Sequence, residues 1–125
     1  MILCDTNILI SAFNGRKDTI EALEYIGLEN VILSAITVME LYQGMANKVE
    51  LAQMKRKIRY YDVLDIDNDT SKLATNLMEN YRLSHGLQIP DAIIGACSIQ
   101  YQIELFTYNI KDFDFMPNIK LYKTK

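Results

Sequence analysis

Met1-Ile2-Leu3-Cys4-Asp5-Thr6-Asn7-Ile8-Leu9-Ile10 opens the chain with an apolar run closed by a carboxylate, and a second apolar run follows. The first run does not alternate polar with apolar side chains, which is the pattern of a strand buried on both faces in a parallel sheet. Asp5 then stands at the carboxyl end of that strand. In open parallel α/β sheets ligands gather in the crevice beyond such strand ends, so these ten residues predict a sheet and the place of a site together. A charged residue here has no helix to cap unless Thr6-Asn7-Ile8 turns helical at once.

Outward from that strand, Ile8 to Phe13 reads as a short apolar segment ending in an Asn14-Gly15 turn. A helix is expected from about Asp18 to Ile26, with Ile20, Leu23 and Ile26 on one face and Gly27 as its stop. Val31-Ile32-Leu33 repeats the buried-strand pattern, and Thr37-Val38-Met39-Glu40 opens a helix running to about Gly44. A basic helix spans about Lys48 to Tyr60, and Val63 to Ile66 reads as a short strand. Asp69-Thr70-Ser71 caps a helix with Leu73, Ala74, Leu77, Met78 and Tyr81 on one stripe, ended by His85-Gly86. Pro90 starts a nearly all-apolar helix from Ala92 to Ile99, and strands follow at Ile103 to Thr107 and Ile119 to Tyr122. Strands alternating with helices make an α/β fold, a mainly parallel sheet sandwiched between α-helices. With 125 residues and no internal repeat or linker, residues 1–125 are expected to form one domain.

No stretch reaches the roughly 18 apolar residues of a membrane helix, and the N-terminus lacks a secretory signal, so a cytoplasmic protein without a membrane partner is expected. Cys4 and Cys97 form no CxxC pair and only one histidine is present, which argues against a zinc site or a disulfide framework. A formal charge of -3 disfavours strong non-specific nucleic-acid binding, so any such role must be local or assisted by metal. The local positive surplus is Lys48, Lys55, Arg56, Lys57 and Arg59, candidate RNA or partner contacts whose alternative is a solvated helix face.

Asp5, Glu40 and Asp91 each stand where an element begins or ends. Carboxylates that converge need a positive partner, and a hard divalent cation with oxygen ligands is the usual one; Mg²⁺ is suited because it keeps several waters. Taken singly, two of the three have another explanation. Glu40 completes a capping box with Thr37, and Asp91 stands where a helix dipole favours a negative charge. Asp65-x-Asp67-x-Asp69 opens like an EF-hand, but Thr70 replaces the glycine and Asn76 the bidentate glutamate. His85, beside a helix-ending glycine, is no partner for a serine or cysteine nucleophile.

Ile2 to Leu9, Thr37-Val38-Met39-Glu40-Leu41, Ile89 to Ala96 and Leu105 to Phe113 resemble, in order and spacing, the motif blocks of PIN domains, above all the VapC-type toxins of toxin–antitoxin pairs. The resemblance implies an α/β/α sandwich and a metal site of Asp5, Glu40 and Asp91, with Asp112 as a further catalytic acid. Thr6, Asn7, Thr107 and Asn109 would align those carboxylates. The fourth position falls to Asn109 or Asp112. Because Asn109 brings a neutral oxygen, one tightly bound ion, with a second arriving alongside substrate, is expected. The implied activity is metal-assisted endonucleolytic hydrolysis of RNA with Mg²⁺ or Mn²⁺, and the implied partners are RNA, a cognate antitoxin and a second copy of the chain. Leu41, Tyr42, Met45 and Met54 are candidate interface residues that the core would also claim. Two rivals remain: a receiver-like magnesium-binding signalling module, against which Thr6 and Asn7 stand where a second acid belongs, and a PIN-like scaffold that binds RNA or a partner without cutting.

Overall fold

The computed structural model describes residues 1–124. Strand β1 (Ile2–Cys4) is followed by helices α1 (Thr6–Phe13) and α2 (Lys17–Ile26) and a 3₁₀ turn at Leu28–Asn30. Strand β2 (Val31–Ser34), helices α3 (Ala35–Gln43) and α4 (Lys48–Ile58), and strand β3 (Asp62–Leu64) come next. Helices α5 (Asn68–His85) and α6 (Ile89–Tyr101), strand β4 (Glu104–Phe106) and a 3₁₀ turn at Ile110–Asp112 complete the order.

The four strands are parallel in the order β3-β2-β1-β4. Parallel neighbours need crossovers, and here helices supply them on both faces, which is why β1 lacks alternation. Side-chain alternation along the strands instead divides two cores. Leu3 and Leu105 face α5 and α6 with Leu77, Ile94 and Phe113. Cys4, Val31, Leu33 and Phe106 face the other layer with Ile8, Leu23, Leu41 and Met54. Gly95 of α6 permits the closest approach, since a Cβ there would stand 2.3 Å from Met116 Sδ.

Several sequence boundaries shift. The apolar segment Ile8 to Phe13 is helical: α1 begins at Thr6, directly after Asp5, whose carboxylate caps it. Helix α3 begins at Ala35 behind a Ser34 cap, so Thr37 lies inside its first turn and Glu40 in its second, and the Thr37–Glu40 capping box does not form. Asp67, not Asp69, caps α5 by accepting from Thr70 N at 2.8 Å. The expected last strand shrinks to one bridge, Leu105 to Leu121, held by Leu105 N to Lys120 O and Tyr122 N to Leu105 O at 2.8 Å each. Both cysteines are free and buried, and burial first, then the Asp5 charge, pushes the Cys4 thiol up to about 12. No described helix is long and apolar enough to cross a membrane.

Candidate active site

The sheet order places a topological switch between β1 and β4: the chain leaves β1 toward β2 and returns on the other side as β4. The residues just past those two strands are Asp5 and Thr107. Asp5 N donates to Phe106 O at 2.9 Å, which extends the pairing by one step and fixes the backbone of the carboxylate. Asp5 Oδ1 accepts from Thr6 N and Oδ2 from Thr107 Oγ1, each at 2.8 Å. Both oxygens are thus oriented by one bond apiece and each keeps further acceptor capacity. Thr107 Oγ1 in turn accepts from Asn109 N at 3.0 Å.

Glu40 reaches the same place from α3. Thr6 Oγ1 donates to Glu40 Oε1 at 2.7 Å and lies 3.0 Å from Thr37 Oγ1. A hydroxyl carries one hydrogen, so with Thr6 donating to Glu40, Thr37 completes the chain by donating to Thr6. Thr37 is fully buried. The sequence reading assigned it a cap and missed this role. Its signal was a threonine one helical turn before a candidate acid, which also spells a capping box.

Asp91 stands in the first turn of α6 and Asp112 at the end of the 3₁₀ turn after β4. Asp91 titrates at about 7 instead of 3.8: burial raises it most, followed by the charges of Asp5, Asp112 and Glu40. A carboxylate placed only to complement the helix dipole would be stabilised by about 0.3–1 kcal/mol and pulled down. Here the opposite effect wins by a wide margin, so the dipole does not account for this residue. Asp5 is raised too, by burial first and by Glu40 and Asp112 last, against the lowering bonds from Thr107 and Thr6. The charges of Glu40 and Asp112 thus act on both Asp5 and Asp91, and Asp5 acts on Asp91 as well.

No three His, Cys, Asp or Glu side chains among the described residues are drawn together tightly enough to enclose an ion. The donor set is nevertheless the right chemistry for a hard cation: carboxylates carrying unfavourable negative charge, and a buried Asn7 Oδ1 with no partner. A loose acidic rim suits an ion that retains part of its water shell better than one that needs a closed cage. Of the alignment candidates, Thr6 and Thr107 bond directly to the acids, while Asn109 contributes its backbone N–H and leaves its exposed side chain uncommitted.

Lys48, Lys55, Arg56, Lys57 and Arg59 are all exposed, on or just beyond α4. The one ion pair among the described residues is Arg16 with Asp18, so none of the five is neutralised that way. Leu41 and Met54 belong to the core, whereas Tyr42 and Met45 are half-buried. His85 stacks on Phe115 at 4.1 Å between centroids and is spent on packing at the end of α5. Asp67 is spent on its cap and on Tyr101.

The family model of the PIN domain matches residues 2–116, a span that contains every acid of the site. The chain belongs to the PIN domain family. Among solved structures, this PIN domain resembles a toxin–antitoxin complex from Klebsiella pneumoniae at 32% identity, with 95% of each chain covered and a TM-score of 0.78. It also resembles VapBC2 from Rickettsia felis bound to a DNA fragment from its promoter, at 26% identity, 100% coverage of both chains and a TM-score of 0.78. DNA-bound VapBC from Salmonella typhimurium, at 21% identity, shares the fold over 97% of this chain and 96% of that one, with a TM-score of 0.80. No curated protein matches.

Proposed function

We propose that this PIN domain is a divalent-metal-dependent endoribonuclease, the toxin of a type II toxin–antitoxin pair. The observation that carries the reading is the raised Asp91 carboxyl, which feels Asp5, Glu40 and Asp112 at once. Like charges gathered around a half-buried carboxyl at a strand-end crevice destabilise the fold unless a cation offsets them, and a divalent ion is the partner this chemistry suits. The likeness to the Klebsiella pneumoniae toxin–antitoxin complex and to the VapBC structures supports the toxin role and an antitoxin partner. A homodimer belongs to the same reading, which rests on family likeness alone.

Asp5, Glu40 and Asp91 are the residues that would hold Mg²⁺ or Mn²⁺, and the ion would supply a bound water of lowered pKa and charge stabilisation at the phosphoryl oxygens. The chain itself does the positioning. Thr107 and Thr6 N fix both oxygens of Asp5, and Thr6, backed by Thr37, fixes one oxygen of Glu40. Asp112, exposed at the rim, is the acid that stays accessible to the substrate side. No nucleophilic side chain is required, in keeping with two cysteines that are buried and protonated.

The test is cleavage of a mixed RNA pool in EDTA, Mg²⁺ or Mn²⁺, with Asp5→Asn beside wild type. Asn keeps an oxygen to cap α1, so the variant isolates the lost charge from the lost cap. Discrete metal-dependent cuts that vanish in the variant are expected. RNA bound tightly by the antitoxin-free wild type yet left intact in both metals would replace the nuclease with a binding scaffold.

A further inference from the structure

The basic helix and the acidic rim meet at one cavity. About 420 Å³ opens between α1, α3 and α4, with Glu40 in one wall and Lys57 in another. That volume falls in the range of small-ligand sites. Its floor is apolar, from the buried Leu41 and Met54, and Phe13 forms a side. The Lys57 ammonium stands 5.3 Å from the centroid of the Phe13 ring. Asn14 and Gln53 bring exposed carboxamides to the rim, while Glu50 is already engaged by Ala46 N at 2.9 Å.

We propose that this cavity is a nucleobase subsite: an unstacked base of single-stranded RNA beside the scissile bond lies on Phe13, Asn14 and Gln53 read its edge, and Lys57 holds its phosphate. The proposal rests on the nuclease reading. An RNA strand crossing four acids meets repulsion along its backbone, and Lys57, which rests over the Phe13 ring and has no carboxylate partner among the described residues, offsets it when it turns to the phosphate of the seated base. An aromatic face with an apolar floor accepts any base, worth about 1–3 kcal/mol per stacked base. Carboxamides discriminate among bases, and adenine, with a donor beside an acceptor, matches them best. Because Glu40 lines the cavity and is held by Thr6, a base seated here is next to the acids rather than remote from them.

Two variants separate the roles, and all three substituted residues are exposed, so their replacement leaves the fold intact. Binding of a fluorescein-labelled single-stranded RNA is followed by anisotropy in EDTA against salt, and cut positions are sequenced from a randomised RNA. Lys57→Ala should weaken binding about tenfold and reduce the slope of log affinity against log salt by about 0.7–1. Asn14→Ala with Gln53→Ala should flatten the preference at one position beside the cut by about fivefold or more. Unchanged affinity, salt slope and cut preference in both variants, with a wild type that cuts, would overturn the subsite and leave the cavity to a protein partner. A wild type that cuts nothing, but whose RNA binding still depends on Lys57 as stated, would sink the nuclease reading and retain the subsite.

Discussion

Asp91→Asn should make the metal-free protein more stable while destroying its activity. Asp91 titrates at about 7 in the folded chain and near 3.8 when unfolded. Between those values the folded chain holds one proton that the unfolded chain has lost, so stability falls as pH rises from about 4 to about 7, and the loss is complete above that. At about 1.36 kcal/mol per pH unit the gap corresponds to an upper bound of about 4 kcal/mol. Asp91 is only half-buried, and solvent screening brings the expected gain on substitution to about 2 kcal/mol at pH 8. For a chain of this size that is about 6–10 °C in Tm. Asp5 titrates in the same direction, so the difference between variant and wild type, rather than the wild-type curve alone, isolates Asp91. The assay is urea unfolding in EDTA at pH 4.5 and pH 8: the two proteins should be nearly equal at the lower pH and separate at the higher. Added Mn²⁺ at pH 8 should stabilise wild type through mass action and the variant much less. A variant no more stable than wild type at pH 8, or wild-type stability independent of pH between 5 and 8, would refute the shared acidic field.

Three other substitutions probe the supports of the site. Asp5→Ala should cost about 1–3 kcal/mol in urea unfolding, because it removes the α1 cap and leaves the Thr107 hydroxyl without its acceptor, whereas Asp5→Asn should stay within about 1 kcal/mol of wild type. Thr37→Val should lower cleavage about five- to tenfold by freeing Thr6 from its second partner, with Thr37→Ser restoring it; equal rates in Val and Ser variants would remove Thr37 from the positioning chain. Gly95→Ala should destabilise by about 1–3 kcal/mol, since its Cβ meets Met116 Sδ inside a packed core, and an unchanged urea midpoint would show that Met116 has room to move.

Local pattern alone carried much of this protein. The unalternating run Ile2 to Cys4, its echo at Val31 to Leu33, and the stripe on Leu73, Ala74, Leu77 and Met78 are enough to place strands and helices, because burial on both faces or on one stripe leaves a period in the sequence. Asp5, Glu40 and Asp91 were legible as candidates because each interrupts such a period at an element boundary. Tertiary structure decided what the boundaries meant. Ile8 to Phe13 is equally apolar as helix or extended chain, and only packing of Ile8 and Leu9 against β1 and β2 chooses the helix, which gives Asp5 a cap to make. Whether Thr37 and Glu40 close on each other or on Thr6 depends on where α3 begins, and Ser34 settles that three residues earlier than the Thr-x-x-Glu spacing implies. The neighbourhood of Asp91, Asp112, Glu40 and Asp5 is a relation among four elements distant in sequence, and no local period encodes it. The same holds for the cavity that joins Glu40 to Lys57: the sequence determined that α4 is basic, and the packing of α4 against α1 and α3 decided that this charge reaches the site.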